Sequence, residues 1–167
     1  MNIIEIILNA LKLILSADSS LYEIIFLSLK VSFIALFISS LFAIIVGYTL
    51  ALKNFYLKNF LLILFNSLMG IPPVVVGLIV YFFFANDGPL GVFQLLYTPT
   101  AMVIAQILII FPIVASLSHE IFLQNWQQYK DHIRSLNIPF FGVIKIFTIH
   151  SYFLLVTVLL SAFGRAI

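Results

Sequence analysis

Cysteine is absent from the 167 residues, which excludes a disulfide framework and a thiolate metal site and leaves the redox compartment unread. Charge is nearly as scarce. Asp, Glu, Lys and Arg together make up 8% of the chain, where an average soluble domain has about 25%. The net charge of +2 gives no sign of nucleic acid as a partner. Chemical signatures are missing as well. His119, His132 and His150 are scattered, with no His-Glu-x-x-His or comparable ligand spacing. No Gly-x-Ser-x-Gly elbow occurs, so neither a metal nor a hydrolytic site is expected. A Gly-x-x-x-x-Gly-Lys-Ser/Thr phosphate loop is lacking too. No nucleotide site and no cofactor are therefore expected in this chain.

What is abundant is apolar surface, at 63% of positions. A small soluble domain leaves too much of itself in water to hide that fraction, so lipid is the expected solvent. A spanning helix needs about 20 mostly apolar residues. Four stretches provide this or nearly so: about Tyr22–Leu52, Asn59–Phe84, Thr100–Leu117 and Val143–Phe163. Between them lie a short basic link (Lys53–Lys58), a Gly/Pro-bearing link (Ala85–Pro99) and a longer polar link (Ser118 to about Gly142). The expected class is an all-α, multi-pass membrane protein, more suited to transport than to catalysis.

Orientation follows from the basic residues. Lys53 and Lys58 fall in the first link, and Lys130, Arg134 and Lys145 in or beside the third. The second link has neither Lys nor Arg and carries Asp87. Basic links face the cytoplasm, so the N-terminus and Ala85–Pro99 are expected outside and Ser118–Gly142 inside. Within Met1–Ser16, Ile3, Ile4, Ile7, Leu8, Leu11 and Leu15 recur at helical spacing, with Glu5, Asn9 and Lys12 off the stripe. That pattern suits a helix in the membrane interface, and a poorly ordered leader is the other reading. No basic start or clean cleavage site marks it as a signal peptide.

Several positions break the apolar pattern. Gly70-Ile71-Pro72-Pro73 interrupts the second stretch, where proline removes a backbone donor and clashes with the preceding turn. In lipid the freed groups must find protein or water, so the break is expected to face other helices or a pathway. Asn66 and Ser67, one turn earlier, could satisfy its carbonyls. A simple kink in a packed bundle and an element of a translocation path both remain open. Gln106 and Pro112 interrupt the third stretch, and Gln106 reads as interhelical glue or as a path residue. Lys30 is expected to snorkel outward. Arg165 reads as an interfacial anchor or as a cation beside the path. In the polar link, Glu120, Gln127, Gln128 and Lys130 alternate with Trp126, Tyr129, Ile133 and Leu136 ahead of Pro139. This suggests a short amphipathic helix, either solvated or docking a cytoplasmic partner.

These features together resemble the permease subunits of type I ABC importers. Their cytoplasmic signature is Glu-Ala-Ala, three residues, Gly, nine residues, Ile, one residue, Leu-Pro. In that frame stand Asp131-His132-Ile133, then Asn137, Phe147 and Ile149-His150; an acid is kept first, and no position matches by identity. The tungstate-type branch, relatives of the molybdate and sulfate permeases, is resembled more specifically. The similar stretches are Asn66–Leu78, Gly88-Pro-Leu-Gly91, Leu96–Gln106, Phe111–Ser116 and Ala162-Phe-Gly-Arg-Ala-Ile167, in the family's order. Family members continue with a Glu-Val-Gly-like stretch and further helix, so the chain is expected to hold residues 1–20 as an interfacial segment and 21–167 as a permease domain lacking its last part. The resemblance implies a permease for an oxyanion, most simply tungstate. Its implied partners are an ABC ATPase, an extracytoplasmic binding protein, a second permease copy and the lipid of a bacterial or archaeal cytoplasmic membrane. Asn66, Gly70, Pro72, Pro73, Gln106 and Arg165 would line the path. Asp131, His132, Ile133, Arg134 and Asn137 would dock the ATPase. Molybdate as cargo, a non-functional fragment, an intramembrane enzyme using His150 and Ser151, and a packing scaffold are the alternatives.

Overall fold

The computed structural model describes Glu5 and residues 19–167, without the side chains of Arg134 and Phe140. The expected interfacial helix over residues 1–20 therefore lies almost wholly outside the described residues. Among those residues the chain forms six α-helices and one 3-10 turn, with no strand. We label them α1 (Ser19–Leu52), α2 (Lys58–Met69), α3 (Pro73–Phe84), α4 (Pro99–Ser135), α5 (Phe140–His150) and α6 (Tyr152–Ala166); the 3-10 turn is Gly91–Phe93.

Two helices, α1 and α4, are each long and apolar enough to cross a membrane alone. They form the spine of the fold. Along α1, Val31, Ala35, Ser39, Ala43, Gly47 and Ala51 recur at every fourth residue, and all are buried. Residues four apart lie on one helix face, so this is a continuous ridge of small side chains. Between helices in lipid the apolar driving force is weak, and small residues gain contact by letting the backbones approach. Gly47 shows how close they come. A Cβ built there would sit 2.8 Å from the Ala115 carbonyl oxygen and 2.9 Å from the His119 amide nitrogen. On the α4 side, Ile110, Val114, Ser118 and Phe122 are fully buried.

Contacts fix the directions. Ser32 meets Gln106, and Gly47 meets Ala115 and Ser118, so α1 and α4 run parallel. The segment between them must then return the chain to its starting side. Asn125 bonds to Ser151 and Gln106 to Ala166, so α6 runs antiparallel to α4. This arrangement gathers the C-terminal ends of α1 and α4, and with them Lys53, Lys58 and Lys130, at one end of the bundle. Asp87 belongs to the link leading back to the start of α4, at the other.

The remaining expected spans differ from simple straight helices. Asn59–Phe84 is two 12-residue helices, α2 and α3, bent by 104° at Gly70–Pro72. Each is about 18 Å long at 1.5 Å per residue, too short to span alone. The fourth stretch is α5 and α6, bent by 76° at Ser151. The third stretch is longer than its hydrophobicity suggested. Helix α4 passes unbroken through the buried Pro112 and takes in most of the polar link as far as Ser135. Four spans are thus obtained only if each bent pair counts as one.

Two apolar clusters hold these pieces. One joins Ala35 and Ala43 to Ile110, Val114, Val158 and Ala162 across α1, α4 and α6. The other, at the basic end, joins Tyr48, Phe122, Ile133, Val143, Phe147 and Leu155. There Tyr48 and Phe122 meet edge to face at 5.5 Å, a favourable quadrupole arrangement.

Candidate functional site

The break begins at a carbonyl supply that two prolines leave without donors. Pro72 and Pro73 have no N–H, so the α2 ladder cannot continue through them. Its last turn closes tightly instead, Gly70 N–H donating to Ser67 O and Ile71 N–H to Leu68 O, both at 3.1 Å. Pro72 is extended (φ −61°, ψ 138°) and Pro73 opens α3, the first-turn position a proline tolerates. Val75 N–H, which in a continuous helix would reach Ile71, donates to Pro72 O at 3.0 Å. The Ile71 carbonyl is met from α6 instead, by Arg165 Nη2 at 3.4 Å.

Gln106 lies in the same region, bridging three elements. Its Nε2 donates to Ser32 Oγ at 3.1 Å on α1 and to the Ala166 carbonyl at 2.9 Å at the end of α6. Its Oε1 is buried with no protein partner among the described residues. Asn66 does not turn toward the carbonyls of the break, as its position in sequence suggested; its Oδ1 accepts a hydrogen bond from Ser116 Oγ on α4. Asn66, Gly70, Pro72, Pro73 and Arg165 are all exposed in the chain, and Gln106 is half-buried. The structure therefore brings Gln106, Arg165 and the break to the end of α6, with Asn66 anchored a turn and a half away.

The second candidate region is the turn between α4 and α5. Asp131 and His132 are exposed, but Ile133 is 7% exposed and packs with Tyr48, Phe122 and Phe147. Ile133 thus packs into the core of the turn, while Asp131, His132 and Asn137 lie on its exposed face. The Arg134 side chain lies outside the described residues. Asn137 has φ +52°. That left-handed conformation suits glycine and is tolerated by asparagine, and Asn137 occupies the signature's glycine position. Ile138 N–H donates back to Ile133 O at 3.4 Å, the long closing bond of a Schellman turn. Pro139 then leads into α5. A cleft of about 300 Å³ beside the turn is lined by Tyr48, Lys53, Trp126, Asn137 and Val143.

His150 and Ser151 are not assembled as a catalytic pair. The Ser151 hydroxyl is buried and accepts from Asn125 Nδ2, while the exposed His150 ring rests edge-on against Tyr129 at 5.5 Å. Among the described residues no cluster of metal-ligating side chains occurs. Sequence reasoning passed over Ser32, Ser116, Asn125 and the small ridge of α1. The four-residue spacing of Ala, Ser and Gly was the available signal for the ridge. The three polar partners become recognisable only once the helices are paired.

No protein-family model matches the chain. Curated proteins do. It is 44% identical over 112 residues to the tungstate uptake system permease protein TupB of Peptoclostridium acidaminophilum, covering 67% of this chain and 49% of that protein. It is 31% identical over 147 residues to a probable anion ABC transporter permease protein of Haloferax volcanii, covering 88% and 63%. The chain belongs to the tungstate-type ABC permeases. A second TupB, from Campylobacter jejuni, is 29% identical over 159 residues, covering 95% of this permease chain and 66% of that protein. The chain thus spans about half to two thirds of the length of these relatives. As a permease it is a multi-pass membrane protein and not itself catalytic.

Proposed function

We propose that this chain is the membrane-spanning permease subunit of an ATP-driven importer for tungstate. The observation that supports it most is the 44% identity to a tungstate uptake permease. ATP hydrolysis is assigned to a separate ABC ATPase docked at the α4–α5 turn. Asp131, His132 and Asn137 present the exposed part of that turn, and Ile133 holds it from behind. An extracytoplasmic binding protein captures the oxyanion and delivers it to the opposite face. The gathering of Lys53, Lys58 and Lys130 at one end supports a cytoplasmic location for that end, and thus an N-terminus outside. The membrane is the cytoplasmic membrane of a bacterium or archaeon. A second permease copy completes the path.

The path reading assigns Asn66, Gly70, Pro72, Pro73, Gln106 and Arg165 to the line along which the anion moves. A dianion is costly to desolvate, and few cations are available in the spans to compensate. The positive dipole end of the half-helix α3, whose prolines offer no N–H and whose Val75 N–H is taken by Pro72 O, attracts an anion without trapping it, which suits a path that must also release. Selectivity then resides in the binding protein. The test is ATP-dependent uptake of tungstate in cells whose sole permease allele encodes this chain, with molybdate and sulfate in parallel. Saturable tungstate uptake, outcompeting molybdate, is expected. Uptake of sulfate in preference to tungstate would refute the assignment of cargo, and absence of all three would refute the importer.

A further inference from the structure

Arg165 stands out among the cations of this chain by what it touches. Its one hydrogen bond among the described residues is the 3.4 Å contact from Nη2 to the Ile71 carbonyl. That bond is long for N–H···O, and its acceptor is neutral. The carbonyl it reaches is the one that the Pro72–Pro73 break has deprived of its helical donor, since Val75 N–H has turned to Pro72 O. Arg165 is exposed, so the other N–H groups of its guanidinium fork are open to a ligand. The backbone beside it is fixed: the Ala166 carbonyl is tied to Gln106 and, through Gln106, to Ser32. A rigid helix end thus carries a cation whose only hold on the break is one weak bond to a neutral oxygen.

We propose that Arg165 is an anion-released latch, holding the α2–α3 break to the end of α6 until a tetrahedral oxyanion takes its donors. The inference rests on the reading of the break as part of an oxyanion path. The competition favours the anion. A guanidinium fork matches two oxygens of a tetrahedral oxyanion, and such a bidentate ion pair adds a second bond and charge attraction that the single long bond to a neutral carbonyl lacks. Losing Arg165 frees the Ile71 carbonyl at the hinge between two helices that meet at 104° and parts the break from α6, leaving Asn66–Ser116 and the buried face of α3 as further ties. The cargo would thus loosen the gate in its own path. Phospholipid phosphate has the same chemistry as the free oxyanion, so the source must be separated by experiment.

The absence of cysteine allows two unique labels to be placed on the full chain. Spin labels at Val74→Cys on α3 and Leu160→Cys on α6, both exposed, report the distance across the break in nanodiscs. Millimolar tungstate, and sulfate as a second tetrahedral dianion, are expected to shift or broaden that distance distribution, with chloride at equal ionic strength inert. Arg165→Met is expected to show the released distribution without any anion. The response should be the same in phosphatidylcholine and in phosphatidylglycerol-rich nanodiscs. Tungstate uptake by Arg165→Met should fall about tenfold, the worth of one charge-assisted hydrogen bond. A distribution indifferent to tungstate, one that follows phosphatidylglycerol alone, or a tungstate response undiminished in Arg165→Met would each overturn the latch. Normal uptake without a distance response would remove the latch and leave the importer standing. A distance response without uptake would support the latch and remove the importer.

Discussion

Helices α1 and α4 touch through a ridge of small residues, whereas α2 and α3 rest on their neighbours through larger apolar side chains and a few polar bonds. The first contact packs Ala35, Ala43 and Ala51 with Ile110, Val114 and Phe122, and at Gly47 the α4 backbone comes so near that an added Cβ would meet it within 3 Å. The second combines the buried Val76, Val80 and Phe84 of α3 and the packed Met69 of α2 with Asn66–Ser116, the aromatic pair Phe65–Phe111 at 5.8 Å, and Arg165 on the Ile71 carbonyl. Close-packed interfaces have discrete arrangements and resist deformation, while hinges absorb it. The comparison assigns rigidity to the parallel spine and movement to the bent pair. A permease needs both, one part to hold register in the bilayer and another to change.

The largest effect should come from breaking the spine. Gly47→Val places a branched Cβ where a backbone oxygen and a backbone nitrogen already lie within 3 Å. Neither can rotate away, so α1 and α4 must separate. Overpacking of this kind costs about 1–3 kcal/mol, here at the upper end because the obstacles are backbone atoms. Loss of the monodisperse peak in detergent size-exclusion, with membrane insertion unchanged, is the expected outcome. A Gly47→Val protein with wild-type thermal stability would mean that the two helices are not held this tightly.

The bent pair should respond in the opposite way, losing function before stability. Pro72→Ala with Pro73→Ala restores two backbone donors and permits α2 to run on into α3. Folding and expression are expected to persist while tungstate uptake falls tenfold or more. Wild-type uptake by the double variant would show that the 104° bend is only a packing detail.

The membrane class and its helical content were legible in the sequence because four apolar stretches dominate the composition. The bends were half legible: Gly70–Pro73 announces one, but nothing around Ser151 marks the other. At the 76° turn there, Asn125 bonds to the buried Ser151 from 26 residues away. The polar link misled for a physical reason. Ser118, His119 and Asn125 read as exposed linker residues, yet all three are buried inside the bundle. Polarity in a membrane protein marks the inward face of a helix as readily as its end. The same ambiguity attached to Gln106, whose partners Ser32 and Ala166 come from the two far ends of the chain. For the candidate site, Arg165 and the break were both visible as exceptions, and their meeting at Ile71 was not.

Gln106 offers a finer cut, because it joins the rigid pair to the end of α6. Gln106→Leu is nearly isosteric and removes both donors. Interhelical hydrogen bonds in membranes are worth about 0.6 kcal/mol each, so a loss of about 1 kcal/mol is expected. Among the described residues the buried Oε1 has no protein partner, which subtracts from what the side chain contributes. A fall of a few degrees in thermal midpoint in nanodiscs would fit. A drop as large as that of Gly47→Val would place Gln106 within the spine itself.

The smallest effect tests the turn at the basic end, where the comparison is between backbone and side chain. Asn137 adopts φ +52°, a region that costs an ordinary L-residue about 1–2 kcal/mol and costs asparagine less. If the turn needs only that conformation, Asn137→Gly should be neutral or slightly stabilising, and Asn137→Val should lose about 1 kcal/mol. Both variants should then capture the ATPase in proportion to how well the turn is formed, since Ile133 behind it stays packed against Phe147. If the asparagine amide itself contacts the ATPase, Asn137→Gly will keep its thermal midpoint and still lose co-purification. That result would move Asn137 from the framework of the turn to its docking face, joining Asp131 and His132, and would leave Ile138 closing onto Ile133 as the part that sets the fold.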